Sequence, residues 1–77
     1  MGRKPIPKPG FLDTCDYLGY SHGARRWRSR DGEFLLTWDS LHGEIEVYDR
    51  FGRHLGARDA ITGDWTKNAV RGRSIDV

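Results

Sequence analysis

From Glu33 to Tyr48 the apolar positions recur every second residue, the period of a strand with one face turned to a core. In Glu33–Asp39 (EFLLTWD), Phe34, Leu36 and Trp38 point one way while Glu33, Leu35, Thr37 and Asp39 point the other. Ser40–Gly43 then reads as a turn. In Glu44–Asp49, Ile45 and Val47 take the apolar face, with Glu44, Glu46 and Tyr48 opposite. A four-residue turn in that place pairs Asp39 with Glu44 and Thr37 with Glu46 across the ladder. Asp49–Gly52 (DRFG) supplies a second turn into a third strand over RHLGAR, and Ile61–Gly63 a third turn. A last short strand is expected through Trp65 or near Ile75. The strand period begins at Trp27. Before it, residues 11–23 predict a short helical turn capped by Asp13 or Thr14 and limited by Gly19 and Gly23.

A helix also puts Asp39, His42 and Glu46 on one face, because their spacing is i, i+3, i+7. Gly43 in its interior costs about 1 kcal/mol relative to Ala, and the flanks LLTW and IEVY are β-formers, so the strand reading is preferred. The predicted fold class is mainly β (α+β): a short, highly twisted antiparallel meander with a small N-terminal helical or irregular segment. Its predicted core is Trp27, Phe34, Leu36, Trp38, Ile45, Val47 and Leu55.

With 77 residues, 36% hydrophobic, the chain holds one small core. Residues 1–10 (MGRKPIPKPG) read as a basic, Pro/Gly-rich linker that stays extended and unpacked, and residues 11–77 as the domain. The single Cys15 excludes an internal disulfide, and the Cys and His spacing offers no zinc site. The apolar runs are too short for a membrane span or a signal-peptide core.

The net charge of +2 is unevenly distributed: +5 over residues 1–30, −5 over 31–64 and +2 over 65–77. Basic arms thus flank an acidic centre. Carboxylates beside cations that attract a phosphate backbone repel that backbone, so their presence asks for a reason. The predicted hairpin supplies one, since it gathers Asp39, Glu44 and Glu46 on one face with His42 at the rim. RNA cleavage by 2′-hydroxyl attack needs a base, an acid and a cation to steady the phosphorane, and Glu, His and Arg fill those roles. Asp39 then orients His42 and steadies its charged form. Solvated hairpin charges with cross-strand partners are the plainer reading of the same spacing.

The run WDSLHGEIEVY at Trp38–Tyr48 resembles the cytotoxic ribonuclease domain of the ribosome-cleaving colicins, which carry WDS-x-HGE-x-E. The likeness extends to Arg26-Trp27 and Gly32 upstream and to His54-Leu55-Gly56, Thr62-Gly63, Lys67, Arg73 and Ile75 downstream, roughly residues 25–77. The resemblance implies an endoribonuclease that cuts small-subunit (16S) ribosomal RNA at the decoding site and halts translation, and the residue set reads as metal-independent. It implies a catalytic set of Asp39, His42, Glu46 and Arg73, with Arg71 the alternative to Arg73, and leaves base and acid exchangeable between Glu46 and His42. It also implies no cofactor and a cognate immunity protein, acidic if it covers the basic arms. The domain is expected to be a monomer without membrane affinity, delivered within a larger secreted toxin and acting in the target-cell cytoplasm. A non-catalytic ribosome- or RNA-binding β-module and a nuclease acting on tRNA are the alternatives.

Glu44, Tyr48 and Arg71 are candidate supports of the site, Tyr48 either as a stacking surface for a base or as a cross-strand aromatic. Arg25, Arg26, Arg28 and Arg30, interleaved with Trp27, are the candidate RNA-gripping residues together with Lys67. His54 reads as strand packing. Arg58 reaches the site only if its strand lies beside Glu46, and Cys15 is expected to be a free thiol.

Overall fold

The computed structural model describes residues 3–77. Six antiparallel strands follow one another in chain order within a single sheet: β1 (Asp16–Ser21), β2 (Ala24–Arg28), β3 (Phe34–Asp39), β4 (Glu44–Asp49), β5 (His54–Asp59) and β6 (Trp65–Asn68). The meander is the predicted class. The β3–β4 register matches the sequence reading, with Asp39 opposite Glu44 and Thr37 opposite Glu46.

Three of the connecting turns share one construction. Asp39, Asp49 and Asp59 each end a strand, and each side chain accepts backbone N–H bonds from the residues that follow: Leu41 and His42, Phe51 and Arg53, Ile61 and Thr62. A glycine closes each turn by donating to the aspartate carbonyl, from Gly43, Gly52 and Gly63. The carboxylate thus replaces water at amides the turn would otherwise leave unpaired. Gly43 (φ +69°) takes the left-handed conformation that side chains resist.

The apolar face is built as expected from Trp27, Leu36, Trp38, Ile45 and Val47, joined by Leu12 and Ala60, with Phe34 and Leu55 packed beside them. What covers it differs from the sequence reading. Residues 3–10 are fastened to the sheet rather than free, with Arg3, Lys4, Pro5, Lys8 and Pro9 exposed. The Trp38 indole donates to the Lys4 carbonyl (3.0 Å), the Lys4 amide to the Ser40 carbonyl (2.7 Å), and Ile6 lies against the core. A single sheet must bury its apolar face against something, and Ile6, Phe11 and Leu12 supply the cover. Met1 and Gly2 of the predicted linker lie outside the described residues.

The short helical turn is a 3₁₀ turn at Phe11–Thr14, with Gly10 rather than Asp13 or Thr14 in front of it. Asp13 sits inside it and reaches back to accept from the Gly10 amide (2.9 Å) rather than capping it from in front. Residues 16–21, read as part of the helical or irregular N-terminal segment, form β1 instead. Its side chains are almost all exposed and a bulge between Tyr17 and Gly19 breaks the register, so no alternation marks it in sequence.

The opposite face is buried as well, which the period-two pattern did not predict. Leu35, Thr37, Glu46, Tyr48 and His54 all lie inside. The C-terminal segment covers that side: the His54 amide donates to the Arg73 carbonyl (3.0 Å), Ser74 bridges to Arg53, and the Ile75 amide donates to the Gly52 carbonyl (2.8 Å).

Candidate active site

Burying that second face creates the site. Asp39, His42, Glu46, His54, Ala57, Lys67, Asn68, Val70 and Arg73 line a concavity of about 290 Å³ between the sheet and the C-terminal segment. The four residues predicted as catalytic are all among them.

Asp39 and His42 meet because of the turn between them. The His42 ring nitrogen Nδ1 lies 2.7 Å from Asp39 Oδ2, while Asp39 Oδ1 accepts from the Leu41 and His42 amides at 3.1 and 3.2 Å. Partial burial pushes the Asp39 carboxyl up, but the bond to the His42 ring and the amide bonds outweigh it, holding the carboxyl below the ordinary range. A carboxylate at Nδ1 fixes the proton there and leaves Nε2 as the working nitrogen. The imidazole side chain is 60% exposed, at the rim.

Glu46 sits on the floor, 7% exposed. A carboxylate withdrawn from water needs donors, and it has two: His54 Nε2 at 2.8 Å and Arg73 Nη1 at 3.3 Å from Oε1. The tautomer of His54 follows from its other side. Nδ1 accepts from the Val70 amide (2.9 Å), so Nδ1 is bare and the proton sits on Nε2, donating to Glu46. His54 is therefore a neutral clamp on the central carboxylate and not mere strand packing. Sequence reasoning missed it because the only signal was one histidine in a short strand. Its ring rests edge-on against Tyr48 (centroids 5.3 Å apart).

The remaining expectations divide. Tyr48 is only 2% exposed, so it supports His54 from behind and is unavailable for base stacking. Glu44 holds a cation in place: its carboxylate takes Lys67 Nζ at 2.7 Å and Thr66 Oγ1 at 3.2 Å. That hydrogen bond and charge raise the Lys67 ammonium above its usual range, keeping it charged at the mouth of the concavity. Arg71 lines a neighbouring groove beside His54 and Arg73, outside the concavity itself, so the guanidinium at Glu46 is Arg73's.

The β2 arginines do not act as one comb. The register Arg26–Thr37–Glu46 puts Arg26, and with it Arg28, on the Glu46 face, and Arg25 and Trp27 on the other. Trp27 belongs to the core rather than to an RNA surface. Arg26 is buried and bonds the Asp76 carbonyl, tying down the C-terminal segment. Arg25, Arg28 and Arg30 are exposed. Arg30 lines a groove on the far face with Cys15 and Arg58, the latter lying over the Trp65 ring at 4.3 Å and so away from the site. Cys15 is free and partly buried, and burial pushes its thiol up. Among the described residues no three His, Cys, Asp or Glu side chains are gathered as a metal ion would require.

Comparison with known proteins adds an independent line. The model of the Cytotoxic family matches residues 18–76, which include every residue of the concavity. The chain belongs to the Cytotoxic family. It is similar to Colicin E3 of Escherichia coli, 40% identical over 69 residues that cover 88% of this chain and 12% of that protein. It is also similar to Colicin-E6 of Escherichia coli, 39% identical over 51 residues, 65% of this chain and 9% of that protein. The chain thus spans about an eighth or less of these relatives. The match to the Cytotoxic family begins within β1, upstream of the quoted motifs, so β1 and β2 are part of what the family shares.

Proposed function

We propose that this Cytotoxic-family domain is a metal-independent endoribonuclease that cuts small-subunit ribosomal RNA at the decoding site and thereby stops translation. The observation that carries the reading is the pairing of two differently held groups in one concavity, the Asp39-oriented His42 at the rim and the His54- and Arg73-held Glu46 on the floor. Similarity to Colicin E3 and Colicin-E6 supports it.

The chemistry needs one acceptor and one donor of protons on either side of a phosphate. Glu46 takes the proton of the 2′-hydroxyl and the 2′-oxygen attacks phosphorus. The bond from phosphorus to the 5′-oxygen then breaks, and the imidazolium of His42 gives its Nε2 proton to that oxygen. The products are a 2′,3′-cyclic phosphate and a 5′-hydroxyl. Because the nucleophile belongs to the RNA, no metal-activated water is called for. Arg73 and Lys67 offset the charge that builds on the phosphorane oxygens. Glu46 and His42 exchange roles if the substrate lies in the opposite direction.

The domain works as a monomer and as the toxic part of a longer secreted protein, acting in the target-cell cytoplasm. An acidic immunity protein in the producing cell complements its exposed cations. The deciding experiment incubates intact bacterial ribosomes with the chain and with His42→Ala, in EDTA, and separates the extracted RNA on a gel. A discrete 3′ fragment of small-subunit RNA from the unaltered chain alone supports the proposal. Cleavage of tRNA instead moves the target. Equal inhibition of translation by His42→Ala without any cut RNA overturns the enzyme.

A further inference from the structure

The segment read from sequence as a free linker contacts Ser40 of the catalytic turn twice and Trp38, just before the turn, once. Arg3 Nη1 donates to Ser40 Oγ (3.0 Å), the Lys4 amide donates to the Ser40 carbonyl (2.7 Å), and the Trp38 indole donates to the Lys4 carbonyl (3.0 Å). The Lys4 side chain lies so close to Gly43 that a Cβ there would meet its Cδ at 2.7 Å. Further along, the Phe11 amide donates to the Ala60 carbonyl (2.8 Å). The segment therefore runs across one end of the sheet from the β3–β4 turn to the β5–β6 turn, fastened at both.

We infer that residues 3–6 are a positioning strap that fixes the Asp39–Gly43 turn, so that His42 faces the Glu46 concavity. The turn on its own is secured by its aspartate cap, the His42 ring bond to that aspartate and the Gly43 closure, and Leu41 and His42 within it are exposed. Ser40 is the residue between the Asp39 carboxylate and that exposed part, and the strap grips both its backbone and its hydroxyl. An imidazole that must reach a leaving oxygen tolerates little displacement, so a loosened turn costs rate rather than binding. No residue of the strap lines the concavity, so these are positioning residues and not catalytic ones.

The inference rests on the nuclease reading for its link to chemistry, and two readouts separate the two. Ser40→Ala removes the hydroxyl contact without altering charge, and Lys4→Pro removes the amide donor. Hydrogen exchange at the Leu41 and His42 amides reads the turn whether or not RNA is cut. The expected result is exchange about tenfold faster in each variant, kcat on ribosomes about three- to tenfold lower, KM unchanged, and a melting temperature within a few degrees of the parent. Unchanged exchange overturns the strap. Faster exchange with parental kcat overturns its part in catalysis, as does a loss carried wholly by KM. If the unaltered chain cuts no RNA, the nuclease reading falls, and exchange alone still decides whether the strap holds the turn.

Discussion

Removing the ring of His54 exposes how much of the fold depends on satisfying one buried carboxylate. In His54→Leu, Glu46 keeps only the longer contact from Arg73, and the Val70 amide loses its acceptor. Leaving a buried donor or acceptor unmade costs about 1–3 kcal/mol, towards the upper end for a charged group. With Glu46 and His54 at 7% and 6% exposure, solvent recovers little of this. A loss of about 3 kcal/mol is expected, and for a domain of this size each kcal/mol is worth about 4–8 °C, so the melting point falls by about 12–24 °C. The decisive comparison is a double-mutant cycle with Glu46→Leu, followed by tryptophan fluorescence during urea and thermal unfolding. Once the carboxylate is gone, losing its partner costs much less. His54→Leu in the Glu46→Leu background is therefore expected to be milder by about 1–2 kcal/mol, while the double variant stays inactive. Additive losses, or a His54→Leu variant melting within about 4 °C of the parent, refute the argument.

The other predictions concern the turn, acid and RNA contacts. Asp39→Asn keeps an oxygen for the Leu41 and His42 amides but removes the carboxylate from the His42 ring, so cleavage falls about tenfold or more with little change in melting point; Asp39→Ala loses both, and unfolding curves show an added loss of about 1 kcal/mol. Asp31, Asp39, Asp49 and Asp59 all titrate below the ordinary aspartate range. A depressed folded pKa gives stability that is fully present above the unfolded value of about 4 and is lost as pH falls through the folded one. The aspartates' contribution to the urea midpoint is therefore flat above about pH 5 and is lost below about pH 4, with a shallower acid drop in Asp49→Asn. Arg28→Ala weakens RNA binding and lowers its salt slope by about 0.7–0.9, as loss of one phosphate contact requires. Arg26→Ala instead loosens the C-terminal segment and lowers the melting point, because its guanidinium is spent on the Asp76 carbonyl.

The β3–β4 hairpin was legible because two signals agreed there: apolar residues at every second position, Phe34, Leu36 and Trp38 and then Ile45 and Val47, and a turn length that fixes the register. The carboxylates and His42 followed from that register. Two things escaped. Strand β1 carries exposed Tyr17, Leu18 and Tyr20 around a bulge, so it has no apolar face for a pattern to report. The burial of the Glu46 face depends on residues 69–76, whose contribution is mostly backbone: the Arg73 carbonyl, the Val70 amide and the Asp76 carbonyl. A sequence pattern records side chains, so a segment that acts through its main chain leaves no trace in it.

The shared turn construction explains how an aspartate-oriented histidine arises on so small a frame. In the β5–β6 turn, Asp59 accepts from the amides two and three residues on and from the hydroxyl of Thr62 at 3.3 Å. In the β3–β4 turn, Asp39 accepts from the same two amide positions, and at the third residue His42 stands where Thr62 does. The two turns share their aspartate, their glycine closure and their side-chain bond back to the carboxylate. One is a structural cap and the other orients an imidazole. The difference lies in the partner across the sheet, since only the β3–β4 turn adjoins a buried carboxylate, Glu46, held by His54 and Arg73. Placing histidine at position 62 should therefore reproduce the aspartate-bound ring without any gain in cleavage, because the carboxylate opposite Asp59 is Glu44, which is engaged with Lys67 and Thr66. RNA cleavage by Thr62→His in a His42→Ala background would contradict this. The turn supplies orientation, and the chemistry comes from the face it adjoins.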